Sequence, residues 1–380
     1  MVTFASLSKG IERAGQAQSS VEMDKEPPVL TSATAAVSEA PPSGSAPARP
    51  LLSVVVKCLN EEKNIGSCLA SIVAATADYA TEIIVADARS SDRTVPIASG
   101  FPVRIVQFAN AADRNCGATA QLGWQFATGD RLLLVDGDME LEPGFLPAAL
   151  AALDAEPSLA GVGGRLIELS EGMEFQERLR RAPGQRTEEV PRITGCALYR
   201  ASAIRALGYF MDRNLHCYEE RDLGGRLRAA GWRLQLLDVD CVRHHGHTEE
   251  ALRLILKRWR GRSLDGHGEL LRAAWSSSRW REAVWICRFA LATIAWWALL
   301  LVLALGAFRS PMLGWVGAAV ALLPPAALLL RKRNPGRAAY AFAMWQVAAA
   351  SLIRGLLARR IEPRTPFQAL VVKELEPQQG

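Results

Sequence analysis

The chain has few cysteines and no pairing pattern among them. Its seven (Cys58, Cys68, Cys116, Cys196, Cys217, Cys241 and Cys287) are odd in number and scattered, without one Cys-x-x-Cys. That excludes a cysteine zinc site and a disulfide framework, and points to a reducing compartment. No basic, glycine-rich triphosphate loop follows the first apolar run, which argues against nucleotidyl transfer. Residues 1–50 hold few aromatics and much Ala, Ser and Pro. Such a stretch cannot bury enough apolar surface to offset its ordering entropy, so it is expected to be a disordered N-terminal segment. It also lacks the basic start and apolar core of a signal peptide.

Long apolar runs are plentiful at the other end. Phe289 to Phe308 is uncharged and contains Trp296-Trp297; Met312 to Leu330 is a second run, interrupted by Pro324-Pro325. Each has the length of one bilayer crossing. Transmembrane helices are therefore expected over 283–308 and 311–330, the second kinked at its proline pair. The loop Arg331 to Arg337 carries four basic residues, and the positive-inside rule places it in the cytoplasm. The Arg309-Ser310-Pro311 turn then lies outside and residues 1–282 inside. A third stretch, 338–360, contains Gln346 and Arg354 and runs into Arg359, Arg360 and Arg364. A third crossing would put those arginines outside, so an interfacial or re-entrant helix is preferred to a full span. Residues 361–380 are left as a C-terminal tail.

Between these ends the pattern alternates. Leu51 to Lys57, Glu82 to Asp87, Val103 to Val106 and Arg131 to Val135 read as buried strands, with helices between them. Strand–helix–strand spacing of this kind predicts βαβ units and a mostly parallel sheet, whose ligand crevice lies beyond the carboxyl ends of the strands. Asn60, Glu61, Asp87, Asp136 and Asp138 all fall at such ends. Asp136-Gly137-Asp138 is the sharpest of these signals. Two acids so close at the end of a buried strand repel each other, and a hard divalent cation between them relieves that repulsion. A solvated Asp-Gly-Asp turn is the plain alternative.

Further on, Glu219-Glu220-Arg221-Asp222 opens a helix that contains Gly224-Gly225 and stops at Gly231. Acids suit a helix start through the macrodipole, and paired glycines imply close packing. Three of the five histidines cluster at His244, His245 and His247, after a strand expected over Leu234 to Leu237. Residues 249–282 form basic amphipathic helices, with Leu252, Ile255, Leu256 and Trp259 on one face, which suits an anionic lipid surface.

Five motifs in order resemble the inverting glycosyltransferases of family 2. They are Ser53 to Val56 with Asn60-Glu61-Glu62; Glu82 to Asp87 with Ser90 to Thr94; Asp136-Gly137-Asp138; Gly195 to Arg200; and Glu219 to Leu223, followed by Arg226 to Trp232. The resemblance covers about 51–246. It implies the GT-A fold, a Rossmann-like α/β nucleotide-diphospho-sugar transferase domain (51–248), here followed by the α-helical membrane segment. It also implies a nucleotide-diphosphate sugar donor, UDP- or GDP-linked, and a divalent metal, Mg²⁺ or Mn²⁺. By position, Asn60, Glu61 and Asp87 would bind the nucleotide. Asp136 and Asp138 would hold the metal, joined by His244 or His245 if these are more than polar loop residues. Glu220 would be the catalytic base, with Glu219 and Asp222 supporting it. The second Asp and the Gly of the family's Asp-Asp-Gly-Ser motif are Ala88 and Arg89 here, which leaves the base preference open.

The expectation is thus an inner-membrane, multi-pass enzyme with its catalytic domain in the cytoplasm. It would glycosylate a lipid-linked or membrane-associated acceptor in surface-polysaccharide or glycolipid assembly, with no nucleic-acid partner. One rival is a processive polysaccharide synthase of the same family. Such enzymes carry Gln-x-x-Arg-Trp, and here Arg258-Trp259 is present but Ile255 stands at the Gln position. A second rival is a catalytically silent scaffold that binds nucleotide-sugar.

Overall fold

The computed structural model describes residues 51–169, 186–245 and 251–375, with 251–254 as backbone only. The disorder expected for 1–50, His247, the start of the helix at Thr248 and most of the charged stretch Glu171 to Arg192 lie outside the described residues.

The chain opens with β1 (Leu52–Cys58), α1 (Ile65–Ala75), β2 (Thr81–Asp87), α2 (Thr94–Ala98), β3 (Arg104–Phe108), α3 (Cys116–Trp124) and β4 (Arg131–Asp136). Here β1 lies between β2 and β4, parallel to both, with Leu52 opposite Thr81 on one side and Arg131 on the other. Both faces of these strands are covered, which is why they read as unbroken apolar runs. Val54, Val56, Leu133 and Val135 pack with Ile65, Leu69 and Ile72 on one side. Val55, Ile84, Leu132 and Leu134 pack with Ala118 and Leu122 on the other. The helix α3 comes so close that a Cβ on Gly123 would run into the Val55 side chain.

Next come β5 (Met139–Leu141), α4 (Phe145–Ala155), β6 (Leu159–Glu168), β7 (Glu188–Glu189), β8 (Ala197–Arg200), α5 (Ala201–Leu207), α6 (Glu219–Ala229) and β9 (Arg233–His244). With the last strand, β10 (Ala369–Lys373), the sheet order is β10-β3-β2-β1-β4-β8-β6-β9-β5, with β7 beside β9. It is parallel through β3, β2, β1 and β4. Past β4 it turns mixed, since β8 is antiparallel to β4 and β6 while β6 and β9 run parallel. The strand expected to stop at Leu237 continues to His244. Pairing with β6 and β5 carries it through its acidic stretch, so His244 is the last strand residue and not part of a loop.

The last section is helical: α7 (Ala251–Arg260), α8 (Gly266–Ala274), α9 (Trp280–Ala307), α10 (Pro311–Lys332) and α11 (Pro335–Leu357), then β10 (Ala369–Lys373). Among the described residues α9, α10 and α11 are long and apolar enough to cross a membrane. The helix α10 is continuous through Pro324-Pro325. Residues 361–380 read from the sequence only as a C-terminal tail. Its strand β10 instead pairs antiparallel with β3 and closes that edge of the sheet.

Candidate active site

The crevice beyond β1, β2 and β4 gathers most of the residues singled out above. Asp136 ends β4 and Asp138 follows two positions later, before β5. Glycine is required between them, because a Cβ on Gly137 would strike the Cys58 side chain. Glu219 and Glu220 begin α6, and the residue before them, Tyr218, takes a left-handed φ of 67°. That turn swings the helix start toward the end of β4.

Lys57, which the motif reading passed over, joins the two acidic groups. It is the sole charge in the apolar run of β1 and sits near its carboxyl end. Its Nζ lies 3.1 Å from Asp136 Oδ1 and 3.6 Å from Glu219 Oε1, with 9% of the side chain exposed. Burial opposes its charge, but Asp136, Cys116, Glu219 and Glu220 outweigh burial and hold its pKa well above the ordinary lysine value. Burial raises the Asp136 pKa, and Lys57 works against that rise. Glu220 is pushed up to about 7, first by burial and then by the neighbouring Glu219 charge, with Lys57 opposing. Its Oε1 lies 3.4 Å from the Gly195 amide, at the long end of a hydrogen bond. Gly195 belongs to the fourth motif, so that motif reaches the acidic helix.

The two histidines expected near the metal divide. His244 Nε2 is 3.2 Å from Asp138 Oδ2 and its Nδ1 is 2.8 Å from Glu168 Oε2. Burial lowers its pKa, but the hydrogen bonds to Asp138 and Glu168 win and raise it to about 9. The His245 ring turns instead to Glu140, 3.0 Å away, and stays out of the Asp138 cluster. Glu168 went unnoticed in the sequence because it lies at the end of β6, next to no motif.

On the nucleotide side, Glu61 faces the aspartates. Its pKa rises to about 7, mainly through burial, with Asp138 and Asp136 adding to it. Its amide donates to Thr94 Oγ1 at 2.7 Å. Asn60 is exposed in a left-handed turn and accepts the Ser91 amide at 2.8 Å. Asp87 is fully buried and already engaged. It accepts from the Ser90 amide at 2.8 Å, from the Ser90 hydroxyl and from Gln107 Nε2 at 2.7 Å. In this arrangement it shapes the 88–91 loop that would border a base.

Asp222 does not face the crevice group. It is buried between Arg226, 2.6 Å away, and Arg279, which precedes α9. The two guanidiniums outweigh burial and hold its carboxyl below the usual range. Its neighbours Gly224 and Gly225 are the close approach that their pairing implied. A Cβ on Gly224 would run into the Pro191 carbonyl, and one on Gly225 would meet Arg279. Asp222 thus ties the acidic helix to the start of α9.

Could this site hold a divalent cation? Among the described residues no three of His, Cys, Asp and Glu converge as a ready-made cage. Asp138 Oδ2 and His244 Nε2 nevertheless lie 3.2 Å apart, so an ion that displaced the proton between them would meet one oxygen and one nitrogen. A Mg²⁺-type ion commonly takes one or two carboxylates and completes its shell with substrate phosphates and water. The residues fit such an ion.

Parts of the chain are similar to known proteins. Residues 53–208 match the family described as Glycosyl transferase family 2. A dodecaprenyl-phosphate galacturonate synthase of Rhizobium johnstonii is 33% identical over 113 residues, 27% of this chain and 32% of that protein. A dolichol-phosphate mannosyltransferase of Mycosarcoma maydis is 28% identical over 120 residues, 29% of this chain and 40% of that protein. The chain thus spans well under two thirds of the length of these relatives. A mannosyltransferase of Pyrobaculum calidifontis, solved with GDP-Man and Mn²⁺, superposes with a TM-score of 0.52 at 21% identity, covering 80% of this chain and 87% of that one. On these grounds residues 53–208 match a glycosyltransferase family 2 domain, and the chain has the GT-A fold, followed by helices long and apolar enough to span a membrane.

Proposed function

We propose that this chain is a metal-dependent, inverting glycosyltransferase. It moves one sugar from a nucleotide-diphosphate donor to a lipid-linked acceptor at the cytoplasmic face of the inner membrane. The observation that carries this reading is the meeting of two acid groups, Asp136/Asp138 from β4 and Glu219/Glu220 from α6, across the buried Lys57.

Each group has a separate task. Asp138 and His244 would hold the cation, whose chemistry is to neutralise charge on the leaving diphosphate. Glu61 and Asn60 border the nucleotide, and Asp87 holds the loop beside it. Glu220, with a pKa near neutrality, is poised to take the proton from an acceptor hydroxyl on the face opposite the leaving group. Lys57 keeps Asp136 and Glu219 apart from each other while binding both. A lipid-linked acceptor accords with the apolar helices and with relatives whose names specify dodecaprenyl phosphate and dolichol phosphate. The pathway would be surface-polysaccharide or glycolipid assembly.

The test is a screen of UDP- and GDP-sugars with detergent-solubilised protein and polyprenyl-phosphate or lipid-saccharide acceptors. Metal-dependent release of nucleoside diphosphate is expected, abolished by Asp138→Ala and by chelation. Full transfer in excess chelator would overturn the metal assignment. Donor binding without any turnover would return the silent-scaffold reading.

A further inference from the structure

The segment that holds the three long apolar helices begins and ends on one folded unit. At its start, α9 leaves the catalytic unit at Trp280, with Arg279 on the buried Asp222 and Arg228 2.7 Å from Glu282. At the far end the chain returns to the same unit. Asn214 Nδ2 donates to the Ile361 carbonyl and the Ile361 amide donates to Asn214 Oδ1, both at 2.8 Å. Arg213 Nη1 donates to the Thr365 carbonyl at 2.7 Å. The Phe367 amide donates to Gln125 Oε1 at 2.7 Å, and its ring meets Phe108 edge-on at 5.0 Å. Then β10 pairs with β3, Ala369 opposite Phe108.

A chain that enters and leaves a bilayer on the same side crosses it an even number of times. Three helices of spanning length cannot all cross. Two of them form a hairpin, since the Trp296 indole donates to the Val320 carbonyl at 3.1 Å and Gly306 packs on Leu313. These are α9 and α10, with mean hydropathies of 2.2 and 2.0 in their most apolar windows, against 1.2 for α11.

The third helix, α11, meets the inner part of α9 at its middle, where the Trp297 indole donates to Gln346 Oε1 at 2.7 Å and Trp345 stacks on Phe289 at 5.4 Å, and its carboxyl end is bound to the soluble part. Arg354 Nε donates to the buried Asp265 at 2.8 Å, and its Nη2 donates to the Trp259 carbonyl at 2.9 Å. Contact is backbone to backbone, because a Cβ on Gly268 of α8 would strike the Leu352 carbonyl and one on Gly355 would strike the Asp265 carbonyl. On the outer side Ile353, Leu356 and Leu357 are exposed. Arg331, Lys332, Arg333 and Arg337 are exposed around the start of the helix. An apolar outer edge and a basic end suit the boundary between headgroups and acyl chains. An arginine in the bilayer centre would be costly.

We propose that the chain crosses the membrane twice, through α9 and α10, and that α11 lies on the catalytic side as an interfacial platform seated in the headgroup layer. The proposal rests on α9 and α10 entering a bilayer and makes no use of sugar transfer.

The test places single cysteines at Ser310 and Glu362 in the full-length protein. Sealed right-side-out and inverted vesicles are treated with a membrane-impermeant maleimide, and peptide mapping identifies each labelled thiol. Positions 310 and 362 are expected to label from opposite faces, with 362 sharing the face of the native, exposed Cys116. Labelling of both from the same face would overturn the proposal, because α10 and α11 would then both cross or both stay on one side. If Glu362→Cys disturbs the return of the chain, an epitope fused after residue 380 gives the same reading by protease protection. It should be cleaved on the Cys116 face, and cleavage on the other face would sink the proposal. Loss of transfer activity with the opposite-face pattern intact would remove the proposed function and leave this topology standing.

Discussion

Lys57 Nζ stands 3.1 Å from Asp136 Oδ1 and 3.6 Å from Glu219 Oε1, so one buried ammonium ties the end of β4 to the start of α6. Removing it leaves two carboxylates facing each other without a cation. Lys57→Met should lower kcat/KM by about 10- to 100-fold, the usual cost of losing a supporting partner. Because Lys57 opposes the rise of the Glu220 pKa, the rising, acid-side limb of the pH–rate profile should also move to higher pH. Lys57→Arg should restore the limb more fully than the rate. A rate loss with an unmoved limb would mean that Lys57 serves packing alone.

Glu220→Gln keeps the shape of the side chain and removes the proton acceptor. With a hydroxyl acceptor, single-turnover transfer should fall by about two to four powers of ten while donor affinity stays within a few-fold. Glu219→Gln should cost much less. A polyprenyl-phosphate acceptor has lost most of its second proton by neutral pH, given a second pKa of about 6, and should depend on Glu220 far less. The size of the loss therefore reports the acceptor chemistry. Near-native turnover with every acceptor would show that the base is another group.

The pKa of Glu220 also sets signs for pH. Its folded value of about 7 lies above the ordinary 4.5. The folded state therefore binds more protons than the unfolded state between those values, and this group's contribution to stability falls as pH rises through that window. Activity runs the other way, since the base must be ionised, and should climb through about pH 7. Thermal stability and initial rate measured together from pH 5 to 8 should move in opposite directions. Glu220→Gln should flatten the rate profile.

Asp222 gives a stability prediction without a catalytic one. Asp222→Asn leaves Arg226 and Arg279 beside a buried neutral amide, and breaking one side of such a cluster costs about 3–5 kcal/mol. The folded pKa lies below the ordinary 3.8, so the contribution of Asp222 is complete above that value and lost as pH falls through it. Thermal unfolding in detergent should show the loss at neutral pH and much less of it in acid. Donor affinity of the folded fraction should stay close to native.

Much of the fold was legible because its causes are local. Val54 to Val56 and Leu132 to Val135 are unbroken runs, since both faces of a parallel strand are covered. The crevice followed from acids at their carboxyl ends, and α9 and α10 from sheer length of apolar sequence. Gly224-Gly225 announced a close approach without saying to what.

What the tertiary structure alone decided were relationships between distant segments. Lys57 is a visible charge at the end of an apolar run, yet its partners lie 79 and 162 positions away. Asp222 reads as one acid among three at a helix start, and its burial against Arg279 separates it from Glu219 and Glu220. Periodicity distinguished neither His244 from His245 nor the tail from a strand. Ring direction is set by the register of β9 against β5. The return of Ala369–Lys373 to β3 depends on a free sheet edge more than 250 residues upstream. Local pattern fixes what a segment can be, because propensity and burial act over one or two turns. Which segments meet is fixed by edges, charges and cavities that exist only once the others have folded.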